Sequence, residues 1–203
     1  EKAYAKAGAQ MNAKEFFERE RVDMMPLLTR IMAKGVDAIE LDGNAPGTAG
    51  LIVKQARELG FKGHIIRSGG PATAEIVNVA GTGATNGMLV NTPINPANAE
   101  VKAYAERYFG KYKKRMNGFS PAFYDGTRML FQAMGQAGTA TDTDKVRVTL
   151  EGIKDFKGIL GTLYWSGNDG YGSNHQFSAP FYGARVQVGQ EVVESTCSLS
   201  ACK

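Results

Sequence analysis

Apolar positions fall along this chain in two alternating rhythms. Runs spaced i, i+3, i+4, i+7 give way to short, nearly continuous apolar stretches, and the alternation recurs three times. Asp23 precedes a run with apolar positions at Met24, Leu27, Leu28 and Ile31, closed by Gly35. A strand over 36–41 follows, centred on Ala38-Ile39-Glu40-Leu41. Ala49, Ile52, Val53 and Ala56 mark a helix over 47–59 that Gly60 stops. His64-Ile65-Ile66-Arg67 reads as a strand over 63–67, followed by a short helix over 72–80. Gly87-Met88-Leu89-Val90 reads as a strand over 87–91. The helix after it, over 97–114, has a predicted buried stripe of Val101, Tyr104, Ala105, Tyr108 and Tyr112. Ahead of all these, residues 1–8 read as the tail of a helix, and 11–17 as a strand. Strands alternating with helices predict an α/β fold: a doubly wound parallel sheet with helices on both faces.

The rhythm changes near residue 118. Two helices come in succession, over 121–134 and 143–153, separated by a small, polar loop at 135–142. The remainder reads as β, with strands over 161–165, 181–188 and 191–195. A turn is expected at Asn168-Asp169-Gly170, and Gly189-Gln190 fits a two-residue hairpin turn with glycine first. Residue 118 is therefore the candidate domain boundary.

In open parallel sheets, ligands bind beyond the carboxyl ends of the strands. The loops there begin Asp42-Gly43-Asn44, Ser68-Gly69-Gly70 and Asn91-Thr92-Pro93. Gly43, Gly69 and Gly70 let backbone N–H groups approach a ligand with no Cβ in the way. Asn44 offers donors and an acceptor, and Ser68 a hydroxyl; either can equally stabilise its own turn. Arg67, at a strand end, can clamp a carboxylate through two parallel hydrogen bonds, or stand as a solvated surface residue. Glu40 and Asp42 share a strand face, but acids at strand ends commonly just meet water. Trp165 is read as core. Tyr124 and Asp125 are read as structural, at the start of a helix.

Composition excludes more than it assigns. The 203 residues are 43% hydrophobic and 22% charged, ordinary for a globular protein. No apolar run approaches the ~20 residues of a membrane span. Residues from 1 onward do not read as a signal peptide, so a mature or truncated chain is expected. The net charge of +4 is dispersed; its densest cluster, Lys111, Lys113, Lys114 and Arg115, suits a last helical turn. No nucleic-acid partner is expected. Two histidines, His64 and His175, and two cysteines lack ligand spacing, so no metal and no cofactor are expected. The glycine run from Gly81 to Gly87 fails the dinucleotide motif in spacing and in context, and reads as a loop. Cys197 and Cys202 are a candidate local disulfide in an oxidising compartment. No acid–base or nucleophile constellation stands out, so an enzyme is not expected.

Five stretches in order carry a family resemblance. They are Val36-Asp37-Ala38-Ile39, then 51–60 (LIVKQARELG), then Asn86-Gly87-Met88-Leu89-Val90 with Pro96-Ala97-Asn98, then Ala122-Phe123-Tyr124-Asp125, and finally 158–165 (GILGTLYW). The chain resembles type I periplasmic solute-binding proteins of the branched-chain amino acid (leucine/isoleucine/valine) group. The resemblance implies two α/β lobes, joined by three crossovers, that close over a small ligand and present it to an ABC permease of the inner membrane. It implies a periplasmic or otherwise extracytoplasmic location. On this reading 1–118 is most of the second lobe, 119–158 returns to the first lobe as helices, and 159–203 forms a crossover and terminal strands. A ligand-sensing domain of the same fold, passing closure to a receptor or regulator, is the alternative.

The resemblance also implies two departures. The chain matches the C-terminal part of such proteins, so a separate N-terminal segment is expected to pack on it and supply a central strand. Amino-acid-binding members place an acid after the second of these strands, to hold the ligand ammonium, and an aromatic after the first. The corresponding positions here are Gly69, and Asn44 or Ala45. Without that carboxylate a buried ammonium has no partner. The expected ligand is a small polar or carboxylate-bearing molecule, or an amide, rather than a standard α-amino acid, contacted by Asn44, Ala45, Arg67, Ser68, Gly69 and Gly70.

Overall fold

A computed structural model describes residues 2–168, 172–173, 175–198 and 202–203. Asp169 and Gly170 of the expected turn, and Glu1 of the helix tail, lie outside the described residues. Helix α1 spans Lys2–Lys6 and α2 spans Met25–Met32. Strand β1 (Ala38–Glu40) leads through α3 (Pro46–Glu58) to β2 (His64–Arg67). Helices α4 (Thr73–Ala80) and α5 (Thr82–Thr85) lead to β3 (Leu89–Thr92) and then α6 (Ala99–Tyr112). Helices α7 (Phe119–Ala137) and α8 (Thr143–Glu151) come in succession. The chain ends in β4 (Phe156–Gly158), β5 (Gly161–Ser166), β6 (Gln176–Ser178), β7 (Phe181–Gln187) and β8 (Gln190–Cys197).

Strands β1, β2 and β3 pair in parallel, with Ile39 opposite Ile65 and Ile66 opposite Leu89. The sheet runs β1-β2-β3-β7-β8, and β4-β5-β6 forms a second, antiparallel sheet. Packing groups the chain into two compact units. One holds Glu1–Val90 with Ala184–Val192; the other holds Asn91–Gly183 with Val193–Lys203. The chain thus passes between units three times, at 90/91, 183/184 and 192/193. The change of rhythm near residue 118 marks the start of α7, and α6 groups with the helices that follow it.

The first unit buries Leu28, Leu41, Val53, Ile65, Ile76 and Met88. The second packs Val101, Tyr104, Met129, Ala133, Phe156 and Leu163 into one core, with Trp165 against it. The Trp165 indole N–H donates to the Leu150 carbonyl at 2.8 Å, answering its one polar atom. Asp125 does not cap a helix start. It lies inside α7, fully buried, and its Oδ2 accepts the Leu160 N–H at 3.0 Å. Tyr112 closes the predicted α6 stripe but is half exposed, because α6 ends at that residue.

Three further expectations give way to tertiary context. Residues 9–18 form no strand. A strand needs a neighbour for its N–H and C=O groups, and among the described residues none pairs with this segment, nor with the outer edge of β1. The glycine run after Gly81 holds the short helix α5. The hairpin turn is Val188-Gly189, one residue earlier than expected, with both φ angles positive at 49° and 76°. That geometry matches the twist of the flanking strands but favours Asn-Gly over Val-Gly. The Val188 N–H donates to Asn86 Oδ1 at 3.3 Å, which helps hold the turn.

Val188 is exposed, so its β-branched side chain meets left-handed backbone with little packing in return. Val188→Asn is expected to stabilise the protein by about 1 kcal/mol. A thermal melt reads this as a rise of a few degrees; an unchanged or lower midpoint contradicts the turn geometry.

Candidate functional site

The parallel register places the ends of β1 and β2 side by side, so the loops 41–45 and 68–70 form one edge. Glu40, the last residue of β1, organises them. Its Oε1 accepts the Asp42 N–H at 3.0 Å and the Ser68 N–H at 3.2 Å. Its Oε2 accepts the Tyr4 hydroxyl. One carboxylate thereby ties both loops and α1 together. Burial, followed by the hydrogen bond to Glu40, raises the Tyr4 hydroxyl from its usual 10.0 to about 12. The stability this protonated phenol contributes is complete below pH 10.0 and is lost as pH rises through about 12.

Arg67 is buried, with 7% of its surface exposed. Its Nη1 donates to the Leu41 carbonyl at 3.3 Å and to the Asn44 carbonyl at 3.1 Å. Its Nε is buried, with no partner among the described residues. The guanidinium therefore shapes the loop after β1 instead of reaching into solvent to clamp a carboxylate. Asn44 is half-buried, and its Nδ2 donates to the Leu41 carbonyl at 3.0 Å, which fixes the same turn. Ala45 is exposed, immediately before α3. Ser68 is exposed, and Gly69 and Gly70 are half-buried beside it.

Asp42 is the residue whose place the sequence did not convey. A Cβ built on Gly69 would lie 1.6 Å from Asp42 Oδ1. The carboxylate of the first loop fills the space that a side chain in the second would need, so a larger residue at 69 would have to displace it. The signal was present as an acid two residues past a strand end, beside a Gly-Gly pair in the next loop. Only the pairing of β1 with β2 brings the two together.

Arg67→Met keeps the bulk of the side chain and removes the guanidinium donor from both carbonyls, leaving the Leu41 carbonyl its bond from Asn44 Nδ2. It is expected to cost about 1–3 kcal/mol, measured by urea unfolding; a loss below half a kcal/mol contradicts the structural role.

Comparison with known proteins follows the same lines. The family model described as periplasmic binding protein matches residues 1–191. The chain is 28% identical over 149 residues to Leu/Ile/Val-binding protein homolog 2 of Brucella abortus (strain 2308), covering 70% of this chain and 37% of that protein. It spans little more than a third of the curated relatives it matches. The leucine-binding protein LivK of Thermotoga maritima MSB8 superposes with a TM-score of 0.83 at 26% identity, over 98% of this chain and 55% of that one. LivJ of Streptococcus pneumoniae, solved with isoleucine, gives 0.78 at 23% identity, over 98% and 55%. A solute-binding protein of R. palustris, solved with benzoate, gives 0.78 at 15% identity, over 97% and 53%, a likeness of fold alone. With nearly its whole length matched by the family model, the chain belongs to the periplasmic binding protein family, with the type I fold and a sequence similar to its Leu/Ile/Val-binding group.

Proposed function

We propose that this chain is the C-terminal part of the solute-binding component of an ABC importer, acting outside the cytoplasm and making or breaking no bond in its ligand. The observation that carries the reading is the family match together with the three passages of the chain between its units, the number of connections about which two lobes can close. On this reading residues 1–90 belong to the second lobe, and the chain returns to the first at residue 91, with α6, α7 and α8 among its helices. The permease is the partner that receives the loaded protein.

An N-terminal segment completes the protein. Two surfaces support this. The outer edge of β1 has no neighbour among the described residues, and an open edge of this kind invites pairing. Phe119, Phe123 and Phe131 leave one face of α7 apolar and exposed, Phe123 by 74%. A strand from the N-terminal segment suits the edge, and its packed face suits the aromatics.

The ligand is small and polar. Gly69 supplies no carboxylate for an ammonium, and the buried guanidinium of Arg67 is turned onto two carbonyls. Among the described residues at this edge the Asp42 carboxylate is exposed, which suits an amide or hydroxyl donor on the ligand, whereas the Ser68 hydroxyl is engaged with Tyr4. A carboxylate on the same ligand would then be held by the segment outside this chain. One observation favours a second reading: Asp42 Oδ1 occupies the place of a side chain at 69, and so could take a ligand ammonium in that side chain's stead. The relatives solved with isoleucine and with benzoate bracket these two classes.

Calorimetric titration of the full-length protein with leucine, isoleucine, benzoate and benzamide separates them. The first reading predicts no tight binding of either amino acid. The second predicts tight leucine or isoleucine binding that falls about ten-fold or more in Asp42→Asn, as a lost charge-assisted contact requires. For the segment, the 203-residue chain alone is expected not to unfold cooperatively as a monomer; if it does, with its composition verified by intact mass, the N-terminal proposal fails.

A further inference from the structure

Thr73 opens α4 directly after the loop 68–72, and its side chain is buried. Its Oγ1 donates to Glu191 Oε1 at 2.6 Å, across 118 positions of sequence. Glu191 is the second residue of β8, one position before the strand passes between units at 192/193. The residue before α4, Ala72, provides no side-chain cap. Glu191 supplies a carboxylate there instead, where the amino end of a helix favours negative charge. The hairpin touches α4 at a second place. A Cβ on Gly189 would come within 3.2 Å of Val77 and 3.0 Å of Thr82, so the turn lies directly on α4 and α5. The loop 68–72, helix α4 and the start of β8 are thus joined at the first residue of the helix and again beside Val77.

We propose that Thr73 and Glu191 are positioning residues that couple the loop 68–72 to the crossing strand β8. The proposal rests on the reading above that this loop meets the ligand. A ligand that displaces the loop moves Thr73, and Thr73 bears directly on the residue that precedes the passage at 192/193. The bond to the Glu191 carboxylate is the path for that displacement, with the hairpin turn at Gly189 lying beside Val77 and Thr82.

Hydrogen exchange on the full-length protein without ligand tests the coupling independently of what the loop binds. In Thr73→Val, the amides of 68–73 and of 190–193 are expected to exchange faster together, by about ten-fold, as loss of one charge-assisted hydrogen bond implies. Thr73→Ser restores both segments to the parental rate. Glu191→Gln keeps an acceptor but not its charge, and gives a smaller acceleration in the same two segments; it also serves if Thr73→Val does not fold. Acceleration confined to the first turn of α4, with 190–193 unchanged, identifies a plain helix cap and overturns the proposal. Failure of the ligand titration with this exchange pattern intact would overturn the ligand reading and leave the coupling standing.

Discussion

A cation that leaves water must be answered by something, and Arg67 is answered by backbone. Its guanidinium lies buried at the end of β2, and among the described residues no carboxylate pairs with it. Desolvating such a charge costs several kcal/mol unless dipoles replace the lost water. The carbonyls of Leu41 and Asn44 do so, and the course of the loop after β1 presents both at once. That course sets Asn44 against its own turn and brings Asp42 over Gly69. From the other side, Glu40 fastens Asp42 and Ser68 by their N–H groups. A buried cation and a strand-end anion together fix the two loops on which the binding proposal depends.

Much of the fold was legible because periodicity reports burial. The helices α2, α3, α4 and α6 and the strands β1, β2 and β3 each carry the spacing of the face they bury. What periodicity cannot report is a partner. Residues 11–17 read as a strand by pattern, yet among the described residues no strand pairs with them. Strands β4 and β6, at three residues each, are too short to show a period and exist through β5. The turn at Val188-Gly189 escaped notice because valine resists positive φ, and the residue that supports it, Asn86, lies 102 positions away.

The site was half legible for the same reason. Sequence placed Asn44, Ala45, Arg67, Ser68, Gly69 and Gly70 at strand ends, and they do lie there. It could not give the direction of a side chain. Arg67 alternates with Ile66 along β2 and shares the buried face of Ile65, so its charge turns inward instead of toward solvent. Asp42 became a candidate only when pairing set one loop against the next.

The most direct test of this account is a crystal structure of the full-length protein with the ligand that purifies with it. The account predicts a polar atom of that ligand within hydrogen-bonding distance of the loops 42–45 and 68–70, with Arg67 still turned onto Leu41 and Asn44. A ligand seated away from these loops, or one whose carboxylate is clamped by Arg67, would contradict it.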